Sequence, residues 1–159
     1  MSSISNIVKQ SKLLYNIYFY VGNVAIKFLK LFLKPDPTLI VFNSFGGRKY
    51  DDSPKAIFLE MLNDPRFAGY KMVWAFVDPD KFSIPKGKIV KIDSLAYYKT
   101  ILKARVWVTN TTMTRALSFR GINTYYLNTW HGSAIKKMGK DAVGGSTFVS
   151  KGKKEEFLK

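Results

Sequence analysis

Five short strand-like runs, separated by stretches long enough to hold helices, constrain this chain more than any other feature. They are Thr38–Phe42, Met72–Val77, Lys88–Ile92, Arg105–Val108 and Thr124–Leu127. The first two are continuous apolar runs, the pattern of strands buried on both faces. Ser53-Pro54 predicts a helix start, serine as N-cap and proline at the first helical position, running to about Leu62. Asp93 or Ser94 predicts the cap of another, running to about Lys103. Its Tyr97, Tyr98, Ile101 and Leu102 read as packing residues. Strands alternating with helices predict an α/β fold with a parallel sheet covered on both faces. In such sheets ligands bind beyond the carboxyl ends of the strands. Gly46-Gly47, Thr109-Asn110 and His131 each follow the carboxyl end of a run, so a parallel sheet puts them on one rim.

The amino-terminal stretch follows a different rule. Residues 4–33 are rich in Ile, Leu, Val, Phe and Tyr, but the longest uncharged run, Leu13–Ile26, has only 14 residues. A spanning helix needs about 20. Lys9, Lys12, Asn16, Asn23, Lys27, Lys30 and Lys34 recur at steps of three, four and seven, which places them on one stripe of a helix. Lysines on that stripe suit anionic headgroups while the apolar arc enters a bilayer. Residues 1–34 are therefore expected to form an amphipathic helix held on a membrane surface. The ordinary alternative is a helix packed on its own domain. Pro35-Asp36-Pro37 is expected to break the chain between this element and a globular domain over 38–159.

Charge narrows the partners. The chain carries 26 basic and 11 acidic residues, a net charge of +15. Such an excess implies an anionic partner. There is no cysteine and one histidine, which excludes disulfides and thiolate or histidine-rich metal sites. Asp78-Pro79-Asp80 has the D-x-D pattern that holds a divalent ion in some nucleotide-sugar transferases. A proline in its middle argues against that use. No metal and no cofactor is expected.

The candidate site residues are few. Ser44, Gly46, Gly47, Arg48 and Lys49 form a turn whose glycines free the backbone to offer amides to an anion, with two cations beside it. The spacing is not that of a Walker A loop. Thr109-Asn110-Thr111-Thr112 reads by default as the cap of a next helix, and otherwise as a ligand contact, with Asn110 the candidate. His131 carries the one imidazole, the side chain whose proton exchanges near neutrality. Gly132 follows, then Ser133, Lys136 and Lys137. A histidine at a strand end is often structural; a shared rim with two other polar loops favours chemistry. Gly144-Gly145-Ser146 reads as a turn and Phe148–Lys159 as a short helix.

Two blocks carry a family resemblance. Thr129-Trp130-His131-Gly132, followed by Ile135-Lys136-Lys137-Met138-Gly139-Lys140-Asp141, resembles the Thr-Trp-His-Gly-Thr-Pro-Leu-Lys-Lys-x-Gly-Lys-Asp signature of the CDP-glycerol glycerophosphotransferases, the wall teichoic acid primases and polymerases. Phe42 to Ile57 resembles the family's other amino-terminal signature. The departure is at Ser133-Ala134, where the family has Thr-Pro. Serine keeps the hydroxyl, while alanine loses the φ restriction of proline. The resemblance covers about residues 38–141. It implies one Rossmann-like half of a GT-B-type transferase. It also implies a CDP-glycerol or related CDP-polyol donor and a lipid-linked polyanionic acceptor. His131 would be the general base, with Gly46, Gly47, Arg48, Asn110, Gly132, Ser133, Lys136 and Lys137 in contact with substrate. The family's second half, with most of the donor site and a second essential histidine, has no room in a chain of this length. The resemblance therefore implies a truncated, acceptor-side half at the cytoplasmic face of the membrane. The rival class is a basic module without catalysis that binds anionic membrane, polymer or nucleic acid. Nucleic acid is not expected, because the basic residues are dispersed and no binding motif for it is recognisable. Glycerol versus ribitol phosphate, and primase versus polymerase, stay open.

Overall fold

The computed structural model describes residues 11–113, 117–121 and 123–130. In chain order the elements are α1 (Lys12–Phe32), β1 (Asp36–Asn43), α2 (Asp52–Asn63), β2 (Lys71–Phe76), β3 (Lys88–Lys91), α3 (Leu95–Lys103), β4 (Ala104–Thr109) and β5 (Tyr125–Asn128). Short 3-10 turns stand at Phe45–Gly47, Pro65–Phe67 and Pro79–Lys81. All five expected strands form, and they join in one sheet of order β3-β2-β1-β4-β5. Every adjacent pair is parallel. The fold is α/β, as the alternation predicted.

The described residues divide into two compact units: residues 11–28 with 117–118, and residues 29–113 with 119–121 and 123–130. The second contains the whole sheet. Alternate residues of its strands face opposite sides. On one side Ile40, Phe42, Met72, Trp74, Phe76 and Val108 cluster with Phe58 of α2. Trp74 is fully buried there. Its ring centroid lies 5.6 Å from Phe42, 5.6 Å from Phe58, 5.5 Å from Phe76 and 4.8 Å from Tyr50. On the other side Trp107 is buried and its Nε1 donates to the carbonyl of Ile101 in α3 at 3.0 Å. Helices therefore cover both faces. Tyr97, Ile101 and Leu102 are buried in that second layer, and Tyr98 stacks on Phe119 at 5.3 Å, so this aromatic group does pack.

Two local boundaries differ from the sequence expectation and a third agrees with it. The cap of α2 is Asp51, whose side chain accepts from Asp52 N at 2.8 Å, and not Ser53. Pro54 then falls one turn in, where its missing N–H still costs nothing. Ser94 does cap α3, accepting from Tyr97 N at 3.1 Å. Pro35-Asp36-Pro37 is a shorter break than expected, because β1 already begins at Asp36. The Asp36 carboxylate accepts from Lys71 Nζ of β2 at 2.7 Å and from Thr38 Oγ1 at 2.8 Å and Thr38 N at 3.0 Å. Those bonds, that of Lys71 first, hold its pKa down to about 2. The ordering of the carboxylate by two strands is why the break ends there.

The first unit is built on α1. A Cβ at Gly22 would meet Leu117 Cδ2 at 3.0 Å, and Asn23 Oδ1 accepts from Ser118 N at 2.9 Å. Tyr15 and Ile26 are buried. Among the described residues no helix is long and apolar enough to cross a membrane. Residues 4–10, the Gly144–Ser146 turn and the Phe148–Lys159 segment lie outside the described residues.

Candidate functional site

The chain leaves β1 toward β2 and β3, then returns to the other side of β1 as β4. The strand order therefore reverses between β1 and β4, and the crevice at their carboxyl ends is where such sheets bind ligands. The register sets three strand ends level there, since Asn43 pairs with Thr109 and Thr109 with Asn128.

The loop after β1 is clasped by the loop after β4. Phe45 N donates to Asn110 Oδ1 at 2.8 Å, and Gly46 N donates to Thr111 Oγ1 at 3.0 Å. Asn110 Nδ2 donates to Asp52 Oδ2 at 2.7 Å, tying the start of α2 into the same knot. Ser44 Oγ donates to the carbonyl of Asp51 at 2.8 Å, and Gly47 N to the carbonyl of Ser44 at 2.9 Å. Phe45, Gly46 and Gly47 all have positive φ, at 48°, 64° and 79°. The sequence suggested amides held out to an anion. Instead, the amides of all three turn residues are engaged inside the protein, two by side chains of the neighbouring loop and that of Gly47 by the Ser44 carbonyl.

The candidate residues of this turn separate into different roles. Gly47 is buried, and its carbonyl accepts from Val77 N at 2.9 Å. A Cβ there would stand 3.0 Å from the Ala75 carbonyl oxygen and 2.2 Å from Ile92 Cδ1. Close approach of backbones requires this glycine. Gly46 is half-buried; Arg48 and Lys49 are exposed on the rim. The Arg48 guanidinium reaches the Phe45 carbonyl at 3.4 Å, and the Lys49 ammonium lies 4.8 Å from the Phe45 ring centroid. Asn110 has no exposed surface. The geometry gives it a positioning role through the loop it holds.

The third strand end adds a turn. Thr129 N donates to the Thr109 carbonyl at 2.8 Å, continuing the β4–β5 ladder by one residue. Trp130 N donates to Asn128 Oδ1 at 3.0 Å, and Trp130 takes a φ of 55° with 42% of its surface exposed. Tyr126 Oη donates to the Thr111 carbonyl at 2.9 Å, so the β5 end and the β4 loop are joined. His131 is next in sequence after Trp130. His131, Gly132, Ser133, Lys136 and Lys137 lie outside the described residues. Asp78, of the D-x-D motif, pairs with Lys81 at 2.8 Å.

Sequence reasoning missed Asp52, Thr111, Asn128 and Thr129 as parts of this arrangement. Asp52 falls within the Phe42 to Ile57 block with no role of its own assigned to it. Its φ of 63° and its bond to Asn110, 58 residues away, have no local signature.

The CDP-glycerol:poly(glycerophosphate) glycerophosphotransferase family matches residues 25–159. The chain is 38% identical over 106 residues to the teichoic acid poly(glycerol phosphate) polymerase of Staphylococcus epidermidis, covering 66% of this chain and 14% of that protein. It is 30% identical over 109 residues to the teichoic acid glycerol-phosphate transferase of Staphylococcus aureus, covering 67% and 27%. Against the Bacillus spizizenii polymerase it is 27% identical over 137 residues, covering 85% and 33%. It thus spans between 14% and 33% of the length of these curated relatives. A solved structure of the wall teichoic acid polymerase TagF superposes with a TM-score of 0.68 at 30% identity, covering 86% of this chain and 36% of that one. A TagF variant soaked with CDPG gives 0.67 at 34%, covering 76% and 30%. With a family match over most of its length and the same α/β architecture as TagF, the chain belongs to the CDP-glycerol:poly(glycerophosphate) glycerophosphotransferase family.

Proposed function

We propose that this chain contributes the acceptor-side half of a transferase that moves glycerol phosphate, or a related polyol phosphate, from a CDP-activated donor to a lipid-linked teichoic acid chain. The observation that carries the reading is the clasped rim at the β1–β4 switch point, with β5 ending level beside it one turn before His131. A terminal hydroxyl oxygen of the acceptor attacks the phosphorus that bears the glycerol. The bond from that phosphorus to the bridging oxygen breaks, and CMP leaves with that oxygen. His131 takes the hydroxyl proton as general base. Arg48 and Lys49 at the rim, with Lys136 and Lys137, favour a polyanionic acceptor. Gly132 and Ser133 lie against substrate; Gly46, Gly47 and Asn110 hold the loop in shape. The test is a transfer assay on a continuous, catalytically complete form of the protein. CMP release from CDP-glycerol should require acceptor and should match the glycerol phosphate incorporated. Binding of anionic polymer with no CMP release would sink the reading and leave the basic binding module.

The membrane role of α1 belongs to the same proposal. Leu13, Ile17, Tyr20, Val24, Phe28 and Leu31 follow one another at steps of three and four, and each has more than half its surface exposed. Together they form a single row along the helix. On the row next to it Lys27 is exposed, while Asn23 accepts from Ser118 N at 2.9 Å and the half-buried Lys30 donates to the Arg120 carbonyl at 3.0 Å. An exposed apolar row with a cation beside it suits the surface of an anionic bilayer on the cytoplasmic side. Ile17→Glu with Val24→Glu should leave the fold intact, because both side chains are exposed. Loss of two inserted side chains, about 3 kcal/mol, should weaken binding to vesicles containing phosphatidylglycerol by roughly two orders of magnitude. An unchanged bound fraction in a flotation assay would mean that this row does not meet the membrane.

A further inference from the structure

A cavity of about 880 Å³ opens at the opposite end of the sheet from the rim just described. Its wall includes Asp36, Lys71 and Lys88, the first residues of β1, β2 and β3. Over the length of β1, at about 3.3 Å per residue, it stands more than 20 Å from the switch point. It therefore takes no part in the transfer chemistry.

The chemistry of the wall is mixed in a specific way. Lys71, Lys86, Lys88, Lys99 and Lys103 contribute five cations, and Asp36 is the one acid. That acid is already paired with Lys71 at 2.7 Å. Among the described residues the other four lysines have no ion-pair partner. Leu39, Met61, Leu62 and Phe67 supply an apolar wall. A free phosphate would satisfy the lysines and leave that wall in water. A purely apolar occupant would strand the cations. A molecule with a phosphate at one end and a hydrocarbon chain at the other matches both.

The cavity also has a route of supply. Leu33, just beyond the end of α1, lines it. Leu31 and Phe32, one and two residues earlier and in the same unit as the cavity, are 80% and 69% exposed. The geometry points to a binding site for an anionic phospholipid, phosphate among the four lysines and the upper acyl chain along Leu39, Met61 and Phe67. The choice of a lipid as occupant rests on the membrane reading of α1. The site would hold one lipid molecule of a membrane surface against the amino-terminal ends of β1, β2 and β3.

The test uses a lipid short enough to stay monomeric, so that no bilayer is needed. Dihexanoyl phosphatidylglycerol, below its micelle concentration, is titrated into the full chain by calorimetry, beside glycerol phosphate and dihexanoyl phosphatidylcholine. The expected result is saturable binding of the anionic lipid, with both comparison ligands at least about 10-fold weaker. Lys88→Ala, Lys99→Ala and Lys103→Ala together should cost about 100-fold in affinity with little change in melting temperature, since Lys88 and Lys99 are exposed and Lys103 is half-buried with no ion-pair partner among the described residues. The Ile17→Glu, Val24→Glu variant should bind the monomeric lipid normally, which separates failure of this site from failure of the α1 surface. Equal binding by the triple lysine variant would overturn the proposal. So would glycerol phosphate binding as tightly as the lipid, which would make this a small-anion site. A concentration-dependent dimer that shuts out the lipid would overturn it too, by giving the cavity to a second copy.

Discussion

Replacing His131 by alanine, in a continuous form of the protein with full transfer activity, should lower turnover by about 10²–10⁴, or roughly 3–5 kcal/mol at the transition state. The melting temperature should stay where it is. The expectation comes from position. His131 follows Trp130, whose left-handed φ of 55° turns the chain just past the end of β5. That end is bonded through Thr129 to Thr109, at the rim where β1 and β4 diverge. A base there needs an unshared nitrogen pair near neutral pH, which imidazole has and an amide lacks. Asparagine keeps the approximate size and some hydrogen bonding, so His131→Asn should be nearly as slow as alanine. A structural histidine would behave otherwise: alanine would destabilise, asparagine would partly rescue, and activity would follow the folded fraction. Turnover and melting temperature measured on both variants separate the two cases.

Gly47→Ala should be strongly destabilising, at about 2–4 kcal/mol of stability. Two causes add. The φ of 79° is one that side chains with a Cβ rarely adopt, and the new carbon would stand 3.0 Å from the Ala75 carbonyl oxygen. It would also meet Ile92 Cδ1 at 2.2 Å; that contact is the more easily relieved, since a methyl tip can rotate away. The backbone oxygen cannot, because Ala75 is inside β2 and pairs with Val90 of β3. Two companions calibrate the result. Gly46→Ala has the strained φ of 64° but only the Arg48 side chain nearby, so about 1 kcal/mol is expected. Gly69→Ala meets nothing within 4 Å and should be neutral or slightly stabilising. Denaturant midpoints on the three variants should fall in that order. If Gly47→Ala unfolds no earlier than Gly69→Ala, the close packing of the turn on β2 is not what orders it.

Each strand was legible because its signal is local: a short run of apolar or β-branched residues bounded by breakers. The parallel sense was legible because helix-length stretches separate the strands. The Ser94 cap was legible for the same reason, since serine and the amide it accepts from are three residues apart. Asp51 in place of Ser53 was not. Both residue types cap well, and the choice follows from Asp52 being drawn to Asn110 across the sheet. The amides of the Phe45–Gly47 turn were misread in the same way. Two adjacent glycines say that the backbone is free to turn, and say nothing of which side chain from residue 110 or 111 will fill the turn.

The class of fold, the positions of the strands, the shared rim at the ends of β1 and β4 and, through two motif blocks, the family were all legible in the residues alone. Those depend on short-range periodicity and on residue identities in a fixed order. The strand order β3-β2-β1-β4-β5, the level register of Asn43, Thr109 and Asn128, and the change of Asn110 from an open candidate to a buried clasp were decided by the tertiary structure. So was the lysine-lined cavity, whose cations lie dispersed between residues 71 and 103 and meet because three strands begin at one edge. Contacts between residues 30 to 65 apart are chosen by which strands pair, and that choice is made by the packing of the whole sheet, where no local pattern carries it.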